Sequence, residues 1–450
     1  MRNAVGGLLM VILAGCATDD PIETDDLAQD VTCPTPTIDV TRSLAVTDPE
    51  VLAKFPLKRT LQQILDSTHA TNTPLALYKA WMGTFTDCKD PDIDPNHFGI
   101  SCRQPEASLA TAVSPFDANT GFKPLAVMNR FDLAPKSGAN CGEYRIVYGL
   151  AQPSVSRAFL IFEARMPNPH PENGLAGCAP LADFWAKLST TNSVTTRANR
   201  LETLYYTGLT TEGSTFEPVV DAAHYGLATN GGAHASGQIR TNMFAQSREW
   251  NLREFKLGKP CADAAACALA VQHVTVKQNP ANELFDGTSD LAPAFQTAFL
   301  TQIAALSAKS APAITMSIAS KFDEYESVSQ RLDLIYRGNT TKAFKTAILD
   351  ARASGNTLNA TNILDRATTQ TCAGCHELSN GTGLGGGVSW PFSFGFVQID
   401  ETSHLSPALT SSFLPARSKI LHTFLANQCA GTPTADDGKN LAGGALDSPN

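Results

Sequence analysis

The pentapeptide Cys372-Ala-Gly-Cys375-His376 brings two thiols and an imidazole within five residues of one another. Two chemistries use that spacing. The sulfurs can oxidise to a small disulfide loop, or they can add to the two vinyl groups of a haem while the adjoining imidazole comes to lie under the iron. With 11 cysteines in 450 residues, chance supplies roughly 0.27 Cys-x-x-Cys pairs, so the pair alone says little. The histidine, one of 9, lowers that expectation to roughly 0.005 and makes the pattern specific.

Other patterns fail on context. Asp90, Asp92 and Asp94 alternate as in a calcium loop, but Pro95 stands where glycine is needed and Ser101 where a bidentate glutamate is needed, so a solvated Asp/Pro turn is expected. Gly381-Thr-Gly383-Leu-Gly-Gly386 spells Gly-x-Gly-x-x-Gly without the strand before it or the helix after it that dinucleotide binding requires. No His-Glu-x-x-His, Gly-x-Ser-x-Gly or phosphate-loop pattern occurs, so a hydrolase has no recognisable nucleophile and base. His170 and His224 read as loop or core histidines.

Either chemistry at the motif needs a chain that has left the cytoplasm. Residues 1–15 carry one positive charge at Arg2 and an apolar run from Val5 to Gly15, too short to span a bilayer and suited to a signal peptide. The run ends in Leu13-Ala14-Gly15-Cys16, which resembles the lipobox of bacterial lipoproteins. That resemblance implies cleavage before Cys16, lipidation of its sulfur, and a mature chain held in the bacterial cell envelope through its N-terminal lipid. Ala17, where an aspartate would favour the inner membrane, implies the outer membrane. Residues 16–33 hold Asp19, Asp20, Glu23, Asp25, Asp26 and Asp30 with few apolar groups, the composition of a flexible tether. The net charge of −9 offers no basic footprint for nucleic acid, and no later segment is long and apolar enough to cross a membrane.

Setting Cys16 aside leaves ten cysteines. If Cys372 and Cys375 take haem, the other eight, Cys33, Cys88, Cys102, Cys141, Cys178, Cys261, Cys267 and Cys429, suffice for four disulfides; if not, all ten suffice for five. Cys88 with Cys102 and Cys261 with Cys267 are the preferred local pairs, although spacing leaves connectivity open.

The elements that must position the motif can be read from periodicity. Apolar residues recur at three- and four-residue intervals from about Leu44 to Phe85, over Leu181 to Leu188 and over Thr195 to Tyr206, as in helices. Strands are expected at Leu125 to Leu133, Glu143 to Leu150, Arg157 to Arg165, Gln238 to Phe244, Trp250 to Leu257 and Val271 to Val276, with short connections that imply antiparallel pairing. Tyr144, Ile146, Tyr148 and Leu150 form one apolar face. Arg130, Asp132, Glu143, Arg145, Glu163, Arg165, Arg240, Arg253 and Glu254 recur within the strands, as a solvated face of cross-strand ion pairs or as a polar ligand-binding face. The fold class is α+β: an antiparallel-sheet central body with flanking helices over 34–335, a small, mainly helical C-terminal segment over 336–430, and a disordered tail over 431–450.

Ala360, Ile363, Leu364 and Ala367 give a helix that runs into Cys372. A glycine loop follows the motif, then a short strand near Phe394 to Ile399, then a helix from about Pro415 to Asn427 with the stripe Ile420, Leu421, Phe424 and Leu425. This order resembles the small class I cytochromes c over about residues 341–429, a cytochrome c-like segment. The resemblance implies one haem c, with Cys372 and Cys375 as thioether residues, His376 as the proximal iron ligand and electron transfer to a redox partner protein as the role. That family usually supplies a methionine after the motif, whereas the last methionine here, Met316, precedes it. Of the later histidines, His422 lies off its helix's apolar stripe, so His404 is the expected distal ligand. Bis-histidine ligation would lower the reduction potential relative to His/Met. A single Cys-x-x-Cys-His speaks for electron transfer rather than a di-haem peroxidase, and for a carrier or binding protein rather than an enzyme. The alternative is a haem-free cell-surface lipoprotein that binds a ligand and holds Cys372 and Cys375 as a disulfide.

Overall fold

Alternation of apolar and polar side chains sets the architecture, because each strand buries one face against helices and turns the other toward the site. The computed structural model describes residues 31–90, 99–151, 157–228, 233–244, 249–258, 267–329 and 335–444. Cys16, the signal segment, most of the tether, Asp92, Asp94 and Cys261 lie outside the described residues.

The strands are β1 (Ala45–Val46), β2 (Phe122–Arg130), β3 (Asn140–Leu150), β4 (Arg157–Pro167), β5 (Leu209–Thr211), β6 (Ser214–Phe216), β7 (Gln238–Phe244), β8 (Asn251–Leu257), β9 (Val271–Val274) and β10 (Glu326–Val328). Eight form one antiparallel sheet in the order β1-β2-β3-β4-β7-β8-β10, with β9 sharing the outer edge of β8. β5 and β6 pair separately as a hairpin. The six strands expected in the central body are present, with β2 shifted three residues early, β3 starting three early, β4 ending two late and β9 ending two early. Register sets Met128 opposite Arg145, Arg145 opposite Glu163, Ile161 opposite Arg240 and Arg240 opposite Glu254.

One sheet face is the apolar core. Tyr144, Ile146, Tyr148, Phe162 and Phe255 are buried there under the helices Leu57–Thr68 and Pro74–Gly83. Trp81 meets Phe162 and Phe255 edge-on, with centroids 6.0 and 5.7 Å apart. Thr60 Oγ1 bonds the buried hydroxyls of Tyr148 and Tyr206 at 2.7 and 2.9 Å, which lets these rings pack without orphaned polar atoms. The opposite face carries the charged strand residues other than Arg253. It is not solvated: Glu143, Glu163, Arg165 and Glu254 are all buried.

A second apolar core runs from Ala281 to Trp390 and includes Ile363, Leu364 and Ala367 of the helix Ala360–Thr368. Reciprocal side-chain to backbone hydrogen bonds between Asn359 and Asn362 cap this helix. Arg366, 1% exposed, donates to the carbonyls of Leu306, Ala308, Leu384 and Gly385, tying the helix to the glycine loop. The last helix, Leu414–Cys429, packs on the helix Ala179–Leu188 and on residues 131–133, and joins the sheet's own core through Leu421, Phe424 and Leu425. His422 is exposed, as its position off the stripe implies.

Two expectations differ from the structure. Residues 431–444 are not loose: Asn440 is buried, Leu441 and Ala442 donate to the carbonyls of Ala134 and Asp132, and Lys136 pairs with Asp437 at 2.9 Å. The segment from Phe394 to Ile399 is not a strand, because Phe396 adopts φ 62°, which breaks extended geometry.

Disulfides join Cys33 to Cys429, Cys88 to Cys102 and Cys141 to Cys178, and Cys267 is also disulfide-bonded. Among the described residues no helix is long and apolar enough to cross a membrane.

A buried histidine makes the fold acid-sensitive. The His273 ring stacks on Phe255 and donates from Nε2 to the Tyr325 carbonyl at 2.8 Å, leaving Nδ1 buried and unpartnered. Burial, helped by Arg253, holds its pKa down to about 4. Between about 4 and the unfolded value near 6.5 the unfolded chain therefore binds the extra proton, so stability falls as pH drops through this window, by up to about 1.4 kcal/mol per pH unit. Urea midpoints taken at pH 7, 5.5 and 4 should decline, and the decline should be shallower in His273→Phe. An equal slope in both proteins would rule this group out.

Candidate functional site

The polar sheet face, residues 311–316, the motif and the last helix enclose a cavity of about 430 Å³, within the size range of small-molecule and cofactor sites. Cys372, Cys375 and His376 all line it. Val147, Ile161, Leu252 and Ile420 supply apolar wall, while Arg130, Arg145, Arg240 and Arg417 supply guanidiniums.

The local backbone explains how the three motif residues face one space. The helix Ala360–Thr368 ends in a turn where Thr371 Oγ1 accepts from the Gly374 amide at 2.9 Å, and Gly374–Leu378 winds as one wide turn. A Cβ at Gly374 would stand 1.7 Å from the Thr368 carbonyl oxygen, so only glycine permits this close approach between the two cysteines. Trp390 Nε1 and Gln398 Nε2 donate to the Cys375 carbonyl at 3.3 and 3.2 Å.

His376 is held in one tautomer. Its Nδ1 is 2.7 Å from the Phe396 carbonyl oxygen, which can only accept, so Nδ1 carries the proton and Nε2 keeps its lone pair. The same carbonyl accepts from Asn242 Nδ2 at 2.7 Å, and Asn242 Oδ1 accepts from Trp250 Nε1 at 2.7 Å. The Trp250 ring stacks on Phe396 at 5.0 Å and lies 6.1 Å from the His376 ring. Asn242 on β7 and Trp250 just before β8 thus orient the imidazole through a backbone carbonyl. Burial, together with Arg240 and Arg145, outweighs that hydrogen bond and brings the His376 pKa down to about 4, which keeps the ring neutral.

The two motif sulfurs are free thiols. Burial pushes Cys372 up to about 12 and Cys375 up to about 11, against the opposing pull of Arg240 and Arg417 respectively. Redox-active Cys-x-x-Cys pairs have the opposite property, a lowered thiol pKa.

The charged face is a network rather than a set of isolated pairs. Arg145 is 2.6 Å from Glu143 and 3.0 Å from Glu163, Arg240 is 2.8 Å from Glu254 and 3.4 Å from Glu163, and Arg165 is 3.0 Å from Glu143. Burial opposes ionisation of Glu143, but Arg145, Arg165 and Arg130 outweigh it and hold the carboxyl well below its usual range. Arg253 points to the other face, where it pairs with Glu326 at 3.0 Å.

His404 does not join the site. It is 76% exposed, its ring bonds Thr402 and Asp400, and it does not line the cavity, because Asp400 caps a tight surface turn that directs the ring outward. Two thioethers do line it, Met128 on β2 and Met316, the latter brought in from before the motif by the chain path between the two cores. Periodicity could not have found Met316, which lies in no helix or strand.

Among the described residues no group of three or more His, Cys, Asp and Glu side chains forms a metal site by itself. Two thiols, one imidazole whose Nδ1 is bonded to a carbonyl, apolar walls and guanidiniums share one cavity, a set of residues that could hold a covalent porphyrin. No family model, curated protein or solved structure matches this chain.

Proposed function

We propose that this chain is an exported, lipid-anchored protein that holds one covalent c-type haem at Cys372, Cys375 and His376 and passes electrons to a partner protein. The observation that carries this reading is the orientation of His376: its Nδ1 proton is committed to the Phe396 carbonyl, so Nε2 is the ligand nitrogen, on a ring that lines the same cavity as both free thiols. When bound, haem supplies a one-electron iron couple. The protein's residues then do the rest. The two sulfurs fix the group to the chain, and Asn242 and Trp250 keep the imidazole aligned. The apolar wall excludes water and so influences the potential. With His404 on the surface, the thioethers of Met128 and Met316, which line the cavity, would be the residues available to hold the iron beside His376, and a thioether donor would raise its reduction potential.

The remaining features agree with this role. A lipid on Cys16 implies attachment to the cell envelope, at the outer membrane given Ala17, and the acidic net charge makes nucleic acid an unsuitable partner. The test is to purify the exported protein from a host with haem-attachment machinery and to record its visible spectrum and intact mass. Absorption bands of a low-spin haem and a mass increased by one haem are expected. A colourless protein at the polypeptide mass would refute the proposal and leave a surface lipoprotein that takes another ligand in the cavity.

A further inference from the structure

Four guanidiniums, those of Arg130, Arg145, Arg240 and Arg417, line the cavity beside the carboxylates of Asp132 and Glu163, with Glu143 and Glu254 paired to two of them from outside the lining. Three of the four have close partners. Arg130 takes both oxygens of Asp132 at 2.9 Å, Arg145 bridges Glu143 and Glu163, and Arg240 bridges Glu163 and Glu254.

Arg417 differs. It reaches Asp132 Oδ2 only at 3.7 Å, and that oxygen is already held by Arg130. Its Nη1 is buried with no hydrogen-bond partner, its side chain is 12% exposed, and its guanidinium lies 5.9 Å from the Phe413 ring centroid. Burial and the proximity of Arg130 and Arg145 bring its pKa down to about 9 against the pull of Asp132. A guanidinium stays charged at neutral pH, and leaving it short of anions inside a largely apolar wall is costly unless a ligand completes it.

We infer that the Arg417 corner of the cavity, which Cys375 also lines, is a binding site for a small carboxylate anion held by the planar guanidinium. A carboxylate suits the planar fork of Arg and supplies the missing charge. Two sources share this chemistry. One is the pair of propionates on the haem, and to that extent the inference rests on the proposed function; the other is a free dicarboxylate.

The experiment uses the full chain in two forms, haem-loaded from a host with attachment machinery and haem-free from a host without it, with succinate as the probe. In the haem-free form, calorimetric titration should show succinate binding that weakens at least tenfold in Arg417→Gln and recovers in part in Arg417→Lys. The thermal midpoint of the Gln variant should not fall, because removing an undercompensated buried charge relieves a cost. In the haem-loaded form, loss of succinate binding together with a lower reduction potential in Arg417→Gln identifies the propionates as occupants. Succinate binding that persists in the loaded native protein and disappears in Arg417→Gln identifies a free anion. No succinate binding in the haem-free protein, or equal binding in the native and Gln forms, overturns the inference. A chain that never takes up haem refutes the proposed function instead, while the haem-free titration still decides the anion site.

Discussion

A chain carrying Cys372→Ala and Cys375→Ala, exported beside the native chain from a host with haem-attachment machinery, is expected to emerge colourless and at the mass of the polypeptide alone. Covalent attachment needs the sulfurs, and without them only one imidazole and the apolar wall remain to retain the group. His376→Ala separates the roles. It leaves both sulfurs in place, so the mass should still include haem while the visible bands shift from those of a low-spin, axially ligated iron. Each single cysteine variant should keep a fraction of attached haem through the remaining thioether. The result that would sink the assignment is native protein lighter than the reduced polypeptide by a further two hydrogens at Cys372 and Cys375, the signature of a disulfide between them. The two sulfurs stand as free thiols on one cavity wall, beside an imidazole whose tautomer is already selected.

Among the three described bridges, Cys33→Ser with Cys429→Ser should cost the most stability. This bridge spans 396 residues, against 14 for Cys88 to Cys102 and 37 for Cys141 to Cys178. In the chain-entropy account, closing a longer loop restricts the unfolded ensemble more, roughly 5 kcal/mol for loops of a hundred residues or more against about 3 kcal/mol for a short one. The location adds a functional consequence. Cys429 ends the helix Leu414–Cys429, whose Arg417 and Ile420 line the cavity and whose Phe424 packs on Phe131 at 4.8 Å. Untying that end should let the helix fray from the helix Ala179–Leu188 and open the cavity to water. Urea unfolding of the double variant should show a midpoint well below that of the Cys88→Ser, Cys102→Ser chain, and its visible bands should broaden if haem is bound. Equal midpoints would show that packing of the last helix, not the bridge, holds the end of the chain.

The charged residues of the strands show how a sequence pattern can leave two placements open, a solvated face or a ligand-binding face, that only packing separates. Alternation in β3 separates Tyr144, Ile146 and Tyr148 from Glu143 and Arg145, so two faces of different character are evident from the residues alone. A solvated second face is the ordinary consequence of such alternation. Here Glu143, Glu163 and Glu254 are buried because residues 311–316, the motif and the last helix cover that face, and opposed guanidiniums neutralise them across the strands. Charge pairing makes such burial tolerable, and pairing depends on register, which a single strand does not reveal.

The tail and His404 err for a related reason. Gly, Pro and Asp residues after Ala430 suggest a loose end, yet backbone hydrogen bonds to Ala134 and Asp132 dock it on the body. His404 sits at a suitable distance along the chain to serve as a distal ligand, but sequence distance carries no direction, and the Asp400 turn points it to solvent.

What the sequence determined by itself is local: strands of period two, helices of period three to four, a preference for pairing Cys88 with Cys102, the helix that runs into Cys372, and a Cys-x-x-Cys-His group open to two chemistries. Only the tertiary structure decided where that chemistry faces. It closed a cavity from segments as distant as residues 128 and 444, brought Met316 to its wall, left Arg417 short of a partner and gave His376 the Phe396 carbonyl. The physical reason is that periodicity and turn chemistry act between near neighbours, whereas burial, ion pairing and ligand orientation depend on contacts between distant segments that exist only once the chain has packed.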